Sequence, residues 1–312
     1  MGDKTKIEWC DATWNPILGC TKVGAGCDNC YAMRSVHRMA GNPKLAAAAG
    51  GTTKIINGRP GWTGVVRCLP ERLEIPLHWR APRRIFVASQ SDPFHEAVPD
   101  EFLDRMFAVM ALTPQHTYQL LTKRPERMRE YLTAEMVGAR IDAATHEFGG
   151  MGGVWFSSMP NVWGLVSVED QATADARIPV LLETPLAVRG VSAEPLIGPV
   201  SVQQWIPPVG VDDRSQGPWP YLDWAIVGGE SGPGARPFDL AWARWLIAQC
   251  RAAGTAVFVK QLGAKPHSIP DRISYKGDSA PKPNGFYRFL NHGKGGDPAE
   301  WPEDLRVREF PA

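Results

Sequence analysis

Short runs of consecutive apolar residues recur along the chain, and each run ends in a polar or glycine-rich segment. Seven of these runs predict strands, in the segments IEWCDATWNPILGC, RRIFVASQ, TYQLLTKR, NVWGLVSVEDQ, LAVRGVSAEPL, LDWAIVGGESG and AVFVKQLGAK. Their apolar positions are continuous rather than alternating, a pattern typical of strands that are buried on both faces of a parallel sheet.

Between the predicted strands, apolar residues recur at the spacing of an amphipathic helix. The predicted helices cover residues 100–112, 125–132, 170–182 and 239–253. The last of them starts at an acidic residue, Asp239, and Gly254 follows its end, which is favourable capping at both termini. The alternation of strands and helices predicts an α/β fold, arranged as a (β/α) barrel or as a doubly wound sheet.

Three segments interrupt this alternation and are predicted to be loop insertions: residues 41–66, 134–160 and 201–221. From Pro266 onward the chain has no strong period, which indicates an extension that wraps the domain. We therefore predict one domain over residues 1–265 and a C-terminal extension over residues 266–312 that packs on it.

The composition argues against several classes of protein. The 312 residues carry a formal net charge of only +1, so a global basic field for nonspecific nucleic-acid binding is not expected. No apolar run approaches the ~20 residues that a membrane-spanning helix needs. The N-terminal segment MGDKTKIEWC is polar and charged, so neither export nor a disulfide framework is expected, and the predicted location is cytoplasmic.

Three cysteines, Cys20, Cys27 and Cys30, lie close together in a C-x6-C-x2-C pattern. Three neighbouring thiolates leave one position of a bound metal open, which favours an iron–sulfur cluster with an exchangeable iron. A structural zinc site is one alternative, and it would take a fourth ligand from Cys10, Cys68, His37 or Asp28. Buried or redox-active thiols are the other.

Polar and charged residues follow every predicted strand. Ligands of parallel α/β folds bind at the carboxyl ends of the strands, where the strand-to-helix loops meet. The residues at these positions are Ser89–Asp92, Lys123 with Arg124, Glu169, Glu194, Gly228–Glu230 and Lys260. We expect them to form one crowded site around whatever the cysteines bind. Because four of them are acids, a metal-dependent hydrolase is a further interpretation, although the chain has no HxH or HExxH pattern.

These motifs together resemble a phage and bacterial three-cysteine-motif family of unknown function. The resemblance rests on IEWCDATWNPILGCTKVGAGCDNCYA, SQSDPFH, LTKRPERM, SVEDQATADARIP, SAEPL, GGESGPGARP and KQLG, and on the tail GGDPAEWPEDLRVREFP. That family is similar to radical S-adenosylmethionine (SAM) enzymes, whose usual cysteine spacing is C-x3-C-x2-C. The resemblance implies a full or partial (β/α) barrel of the radical-SAM type.

The resemblance further implies an enzyme that holds a [4Fe–4S] cluster through Cys20, Cys27 and Cys30 and binds SAM at the fourth iron. Reductive cleavage of SAM would then modify an unidentified substrate, with a nucleic acid or nucleotide as the candidate, and an electron donor would be a partner. The residues implied to bind SAM are Ser89, Ser91, Asp92, Glu169, Gly228, Gly229 and Glu230. Lys260 and Glu194 are the implied catalytic residues, and the implied substrate contacts are Lys123, Arg124 and Arg236.

A binding module without catalysis is the alternative function. In such a protein, zinc would stabilise the cysteine loop, and Lys123, Arg124 and exposed tryptophans would contact a nucleic acid or a protein. The module would hold one zinc ion tightly and would lose its fold on chelation.

Overall fold

A computed structural model describes residues 5–153, 159–208, 221–267 and 290–311. The strands in these residues are β1 (Ala12–Trp14), β2 (Ile17–Leu18), β3 (Thr53–Ile56), β4 (Arg59–Trp62), β5 (Arg67–Cys68), β6 (Arg84–Val87), β7 (Thr117–Thr122), β8 (Val162–Ser167), β9 (Val188–Ala193), β10 (Trp224–Gly228), β11 (Phe238–Asp239), β12 (Ala256–Gln261) and β13 (Pro266–His267). The α-helices are α1 (Tyr31–Ala40), α2 (Ala46–Ala49), α3 (Asp100–Leu112), α4 (Pro125–Leu132), α5 (Val137–Thr145), α6 (Gln171–Leu182) and α7 (Leu240–Ala252).

The seven predicted strands are confirmed, and together they form the main sheet in the order β1-β6-β7-β8-β9-β10-β12. The pairs β1/β6, β6/β7, β7/β8 and β10/β12 are parallel. The strands lie side by side in chain order, whereas the strand order of a doubly wound sheet reverses at a switch point. The fold is therefore mixed α/β with a sheet compatible with a partial (β/α) barrel.

By its internal contacts the chain divides into two compact units. The first comprises residues 1–166 and 177–190, and the second comprises residues 167–176 and 191–312. The boundary predicted at residue 265 stays a prediction, as does the separate C-terminal extension. The loop insertions predicted at 134–160 and 201–221 lie partly outside the described residues.

The core of the first unit forms around β1, β6 and β7. The rings of Trp14 and Tyr118 lie edge to face with their centroids 5.8 Å apart. The indole Nε1 of Trp14 donates a hydrogen bond to the carbonyl oxygen of Arg72 (2.7 Å), so the buried nitrogen is satisfied. The predicted bounds of α3 are confirmed, and its Met106 and Phe107 side chains are fully buried.

A β-hairpin occupies much of the insertion predicted at residues 41–66. β3 and β4 pair antiparallel with Ile56 opposite Arg59, so the connecting loop consists of Asn57 and Gly58. Both loop residues have positive φ, 49° and 73°, as a type I′ turn requires. The apolar pattern does not predict this hairpin; the Asn-Gly dipeptide is the signal that would have found it.

The second unit contains β10, β12 and α7. The side chain of Asp239 accepts a hydrogen bond from the backbone N–H of Ala241, which confirms the predicted N-cap. C-terminal residues lie along β12: the N–H of Val259 donates to the carbonyl oxygen of Val307 (2.8 Å), and the N–H of Glu309 donates to Val257 (2.8 Å). None of the described helices combines the length and the apolar character that a membrane crossing needs.

Loss of the α7 cap should destabilise the second unit. We expect Asp239→Ala to lower the free energy of unfolding by about 1 kcal/mol, because an amide at the start of α7 loses its acceptor. Asp239→Asn should keep most of the stability, since an asparagine oxygen caps as well. Urea denaturation followed by circular dichroism measures both variants, and equal losses would show that the carboxylate charge rather than the cap matters.

Candidate functional site

The three cysteines lie on the loop that joins β2 to α1. Cys27 ends a 3-10 turn (Ala25–Cys27), and Cys30 is the residue immediately before α1. Their thiols are close enough to interact electrostatically: Cys30 interacts with both Cys20 and Cys27. The fold therefore brings the predicted metal ligands together on one short loop.

Gly19 fixes the path of the chain just before Cys20. Its φ of +93° lies in the region that favours glycine, and a Cβ at this position would collide with the carbonyl oxygen of Val65. Gly19 also forms a parallel β-bridge with Ser91, and the Ser91 hydroxyl donates to the carbonyl oxygen of Ile17 (3.0 Å). The cysteine loop is thus attached to the segment that follows β6.

Ser89 belongs to the same attachment. Its hydroxyl donates to the side-chain oxygen of Asn15 (3.0 Å), which also accepts from the backbone N–H of Gln90 (3.1 Å). The hydroxyl of Tyr31, the first residue of α1, donates to the carbonyl oxygen of Ser89 (2.8 Å). The side chains of Ser89 and Ser91, both implied to bind SAM, are therefore engaged in bonds within the protein.

Asp92 is a buried carboxylate whose two oxygens accept four hydrogen bonds. One oxygen accepts from the hydroxyl of Thr122 (2.7 Å) and from the N–H of Phe94 (3.0 Å). The other accepts from the N–H of Lys123 (3.0 Å) and from Nη1 of Arg124 (3.1 Å). Because its side chain is only 7% exposed, these bonds offset the cost of its desolvation.

Arg124 connects Asp92 to the cysteine loop. Its Nε donates to Glu96 (2.9 Å), and Nη2 donates to the hydroxyl oxygen of Thr21 (2.6 Å). Nη1, which binds Asp92, also donates to Sγ of Cys20 (3.8 Å). The guanidinium is 11% exposed and engages the protein through all three nitrogens, so its geometry suits a positioning residue better than a substrate contact.

His95 supports the same loop from the other side. The N–H of Ala97 donates to Nδ1 of His95 (3.1 Å), so the neutral ring carries its proton on Nε2 and donates to the Thr21 hydroxyl oxygen (2.9 Å). Burial lowers the pKa of His95, and the nearby Arg124 cation lowers it further, so the neutral ring is favoured at pH 7.

Burial has the largest effect on the pKa values of the Cys20 and Cys30 thiols. Burial raises the pKa of Cys20 to about 12, an effect that the Asp92 carboxylate increases and the Arg124 cation opposes. Burial likewise raises the pKa of Cys30, whereas the backbone amides in the first turn of α1 and the Lys123 cation lower it. A metal that binds thiolates here must therefore displace protons.

In the second unit, Glu194 forms a close ion pair with Lys260. Nζ of Lys260 lies 2.8 Å from each carboxylate oxygen, and Nε2 of Gln261 donates to one of them (3.0 Å). Both charged side chains are 14% exposed. Glu194 follows β9, and Lys260 and Gln261 are the last residues of β12, so the two predicted catalytic residues do meet at strand ends.

Glu230 forms a second ion pair in the same unit. The guanidinium of Arg236 binds both carboxylate oxygens, at 2.7 and 3.1 Å, and its backbone N–H donates to one of them (2.8 Å). The preceding Gly229 has no room for a side chain, because a Cβ would lie 2.6 Å from the carbonyl oxygen of Leu262. Close packing therefore accounts for Gly229 of the GGESG segment, and the ion pair with Arg236 accounts for Glu230.

Gly228 and Glu169 also lie at strand ends of this unit. A Cβ on Gly228 would meet the Glu194 carboxyl carbon at 3.3 Å. Glu169 is buried after β8, and its carbonyl oxygen accepts from the N–H groups of Ile197 (2.8 Å) and Gly198 (3.2 Å). The single crowded site expected from the sequence stays a prediction; what the structure describes is one group of strand-end residues in each unit.

Sequence reasoning assigned no role to three residues of the first group: Asn15, Thr21 and His95. Their signals were present, because Asn15 precedes a proline at the end of β1, Thr21 adjoins Cys20, and His95 lies three residues after Asp92. Each acts through hydrogen bonds with residues distant in sequence, and such bonds cannot be read from local pattern.

The donor set of the cysteine loop suits an iron–sulfur cluster. Among the described residues, no three His, Cys, Asp or Glu side chains meet the geometry of a metal-binding group. Three interacting thiols on one loop nevertheless supply the ligand chemistry that such a cluster takes, with the cations of Arg124 and Lys123 nearby to favour thiolates.

The model of a family described as a protein of unknown function (DUF5131) matches residues 4–285. The chain belongs to the DUF5131 family. No curated protein and no solved structure matches it. The sequence motifs resemble a family of unknown function, and membership of the DUF5131 family agrees with that expectation. The likeness of the DUF5131 protein to radical SAM enzymes stays a prediction.

Loss of Arg124 should destabilise the first unit of the DUF5131 protein. We expect Arg124→Ala to cost about 3 kcal/mol of unfolding free energy, because Asp92 keeps its charge but loses its cation. Arg129→Ala, in the helix α4 that follows Arg124, is the matched control: its pair with Glu183 is exposed, so we expect a loss below about 1 kcal/mol. Urea denaturation measures both, and equal effects would contradict the role given to Arg124.

Glu230→Gln should lower thermal stability. A neutral amide binds the Arg236 guanidinium more weakly than a carboxylate does, and it cannot accept on both atoms. We expect a loss of about 1–2 kcal/mol by thermal denaturation. Glu303→Gln, at an exposed position, serves as the control and should leave the melting temperature unchanged.

Proposed function

We propose that this DUF5131 protein is an iron–sulfur enzyme of the radical SAM kind that modifies a nucleic acid or a nucleotide. The observation that supports the proposal is the placement of Cys20, Cys27 and Cys30 on one short loop that is attached to the segments following β6 and β7. In parallel α/β folds, ligands bind at that end of the strands. The three thiols would hold the cluster.

When bound, a reduced cluster with an open iron position supplies the electron that cleaves SAM. The protein's own residues would control the surroundings. Arg124 orients the Cys20 side chain through its bond to Sγ and holds Thr21 beside it. Asp92 in turn holds Arg124, and the Ser89 and Ser91 side chains bond to Asn15 and Ile17. We therefore assign Ser89, Ser91 and Asp92 to positioning the loop.

Lys123 is a candidate contact for an anionic group near the thiols, because its cation acts on Cys30. It is half-buried beyond the end of β7. In the second unit, Lys260 holds a proton on Nζ at 2.8 Å from either oxygen of Glu194, a pair suited to proton exchange with a substrate.

The metal content of the full chain tests this proposal. Protein purified without oxygen should contain about four irons with matching sulfide per chain, and added SAM should perturb its spectrum. Cys27→Ala should lose most of the iron, whereas Cys250→Ala should retain it, because Cys250 is buried in α7 of the other unit.

Stoichiometric zinc with no response to SAM would overturn the proposal. It would support the binding module instead, and chelation should then unfold the protein. Iron that persists in Cys27→Ala would also contradict it, since the cluster would have to be held elsewhere.

A further inference from the structure

Positive charge is concentrated in one segment of an otherwise balanced chain. Over the whole sequence, 34 Lys and Arg residues face 33 Asp and Glu residues. Residues 29–70 contain no Asp or Glu at all. The cations of that segment are Arg34, Arg38, Lys44, Lys54, Arg59 and Arg67. The segment itself therefore contributes positive charge and no carboxylate.

The β3–β4 hairpin presents part of this charge on an outward face. Paired residues of antiparallel strands share a face, so Lys54, Ile56 and Arg59 lie on one side. All three are exposed, and Ile56 covers the position of Gly61, where a Cβ would meet its Cδ1 at 2.8 Å.

The opposite face of the hairpin holds it to the protein. Trp62, which pairs with Thr53, packs against a buried cluster that includes Leu18, Val36 and Leu69. The side chain of Thr53 also hydrogen-bonds to Nδ1 of His37 on α1 (3.1 Å). The hairpin is therefore anchored through Thr53 and Trp62, and Lys54, Ile56 and Arg59 of its other face are exposed.

The base of the hairpin adjoins the cysteine loop. The carbonyl oxygen of Val65, just beyond β4, lies against Gly19, and Thr52, just before β3, contacts the same glycine. The N–H of Thr63 donates to the carbonyl oxygen of Thr52 (3.0 Å), which closes the base. The base of the hairpin therefore lies beside Gly19, the residue that precedes Cys20.

We propose that the outward face of the β3–β4 hairpin is a nucleic-acid binding surface. Lys54 and Arg59 would neutralise phosphates on either side of Ile56, whose side chain would contact sugar or base. A two-stranded β-ribbon is one of the elements that the major groove of a duplex admits. This inference deepens the proposed function, because it narrows the substrate to a nucleic acid and assigns a surface that binds it.

A protein partner fits this face less well. Protein interfaces are enriched in aromatic residues and depleted in Lys, especially at their centres. The outward face consists of Lys54, Ile56, Arg59 and Gly61 and carries no aromatic side chain. Its chemistry is that of a phosphate-binding ribbon with a single apolar contact.

Fluorescence anisotropy with a labelled DNA duplex of mixed sequence tests the inference on the full chain. The double variant Lys54→Ala/Arg59→Ala should bind about tenfold more weakly and should lower the slope of log K against log salt by about 2. Lys265→Ala/Lys294→Ala, which removes the same charge from exposed positions in the second unit, should bind like the wild type.

Equal losses in the two double variants, or no binding by the wild type at low salt, would overturn the inference. Polyglutamate binding as tight as DNA binding would assign the face to an acidic protein instead. Dimerisation that the hairpin variant abolishes would assign it to a second copy. Because the assay measures binding without turnover, zinc in place of iron would overturn the proposed function and leave this inference standing.

Discussion

The buried carboxylate of Asp92 is the constraint on which the first strand-end group depends. A carboxylate away from water must be bound by donors, and the donors come from the end of β7 and from the turn after β6. The one cation among them, Arg124, donates its other two nitrogens to Glu96 and Thr21, and the nitrogen that binds Asp92 also donates to Sγ of Cys20. The need to satisfy one acid thereby determines where the cysteine loop lies.

The same physical device recurs in the second unit. Glu194 is neutralised by Lys260 and Glu230 by Arg236, and both acids follow strands of the main sheet. The polar residues at the strand ends therefore stabilise the fold, in addition to being candidate site residues. A buried acid with its own cation keeps a loop rigid, and rigid loops are what a site needs to hold a cofactor or a substrate in place.

Much of the fold was predictable from the apolar runs. All seven strands of the main sheet and the bounds of α3 and α4 follow from period and length, because long buried elements leave a strong pattern. The two-residue strands β2 and β5 have no period to detect. For the site, the sequence predicted which residues lie near one another but not which of them bond. The pattern placed Asp92 and Arg124 at strand ends, but the bond between them depends on distances that no local pattern encodes.

The bond between Arg124 and Cys20 has a consequence for biosynthesis. The two residues are 104 positions apart, and the chain is made from its N-terminus, so the cysteines emerge long before the arginine. The loop cannot take its final geometry until β7 has been translated and paired with β6. Under the proposed function, delivery of the metal to a preformed loop would therefore be a late event, and until then the thiols belong to a growing chain without their positioning cation.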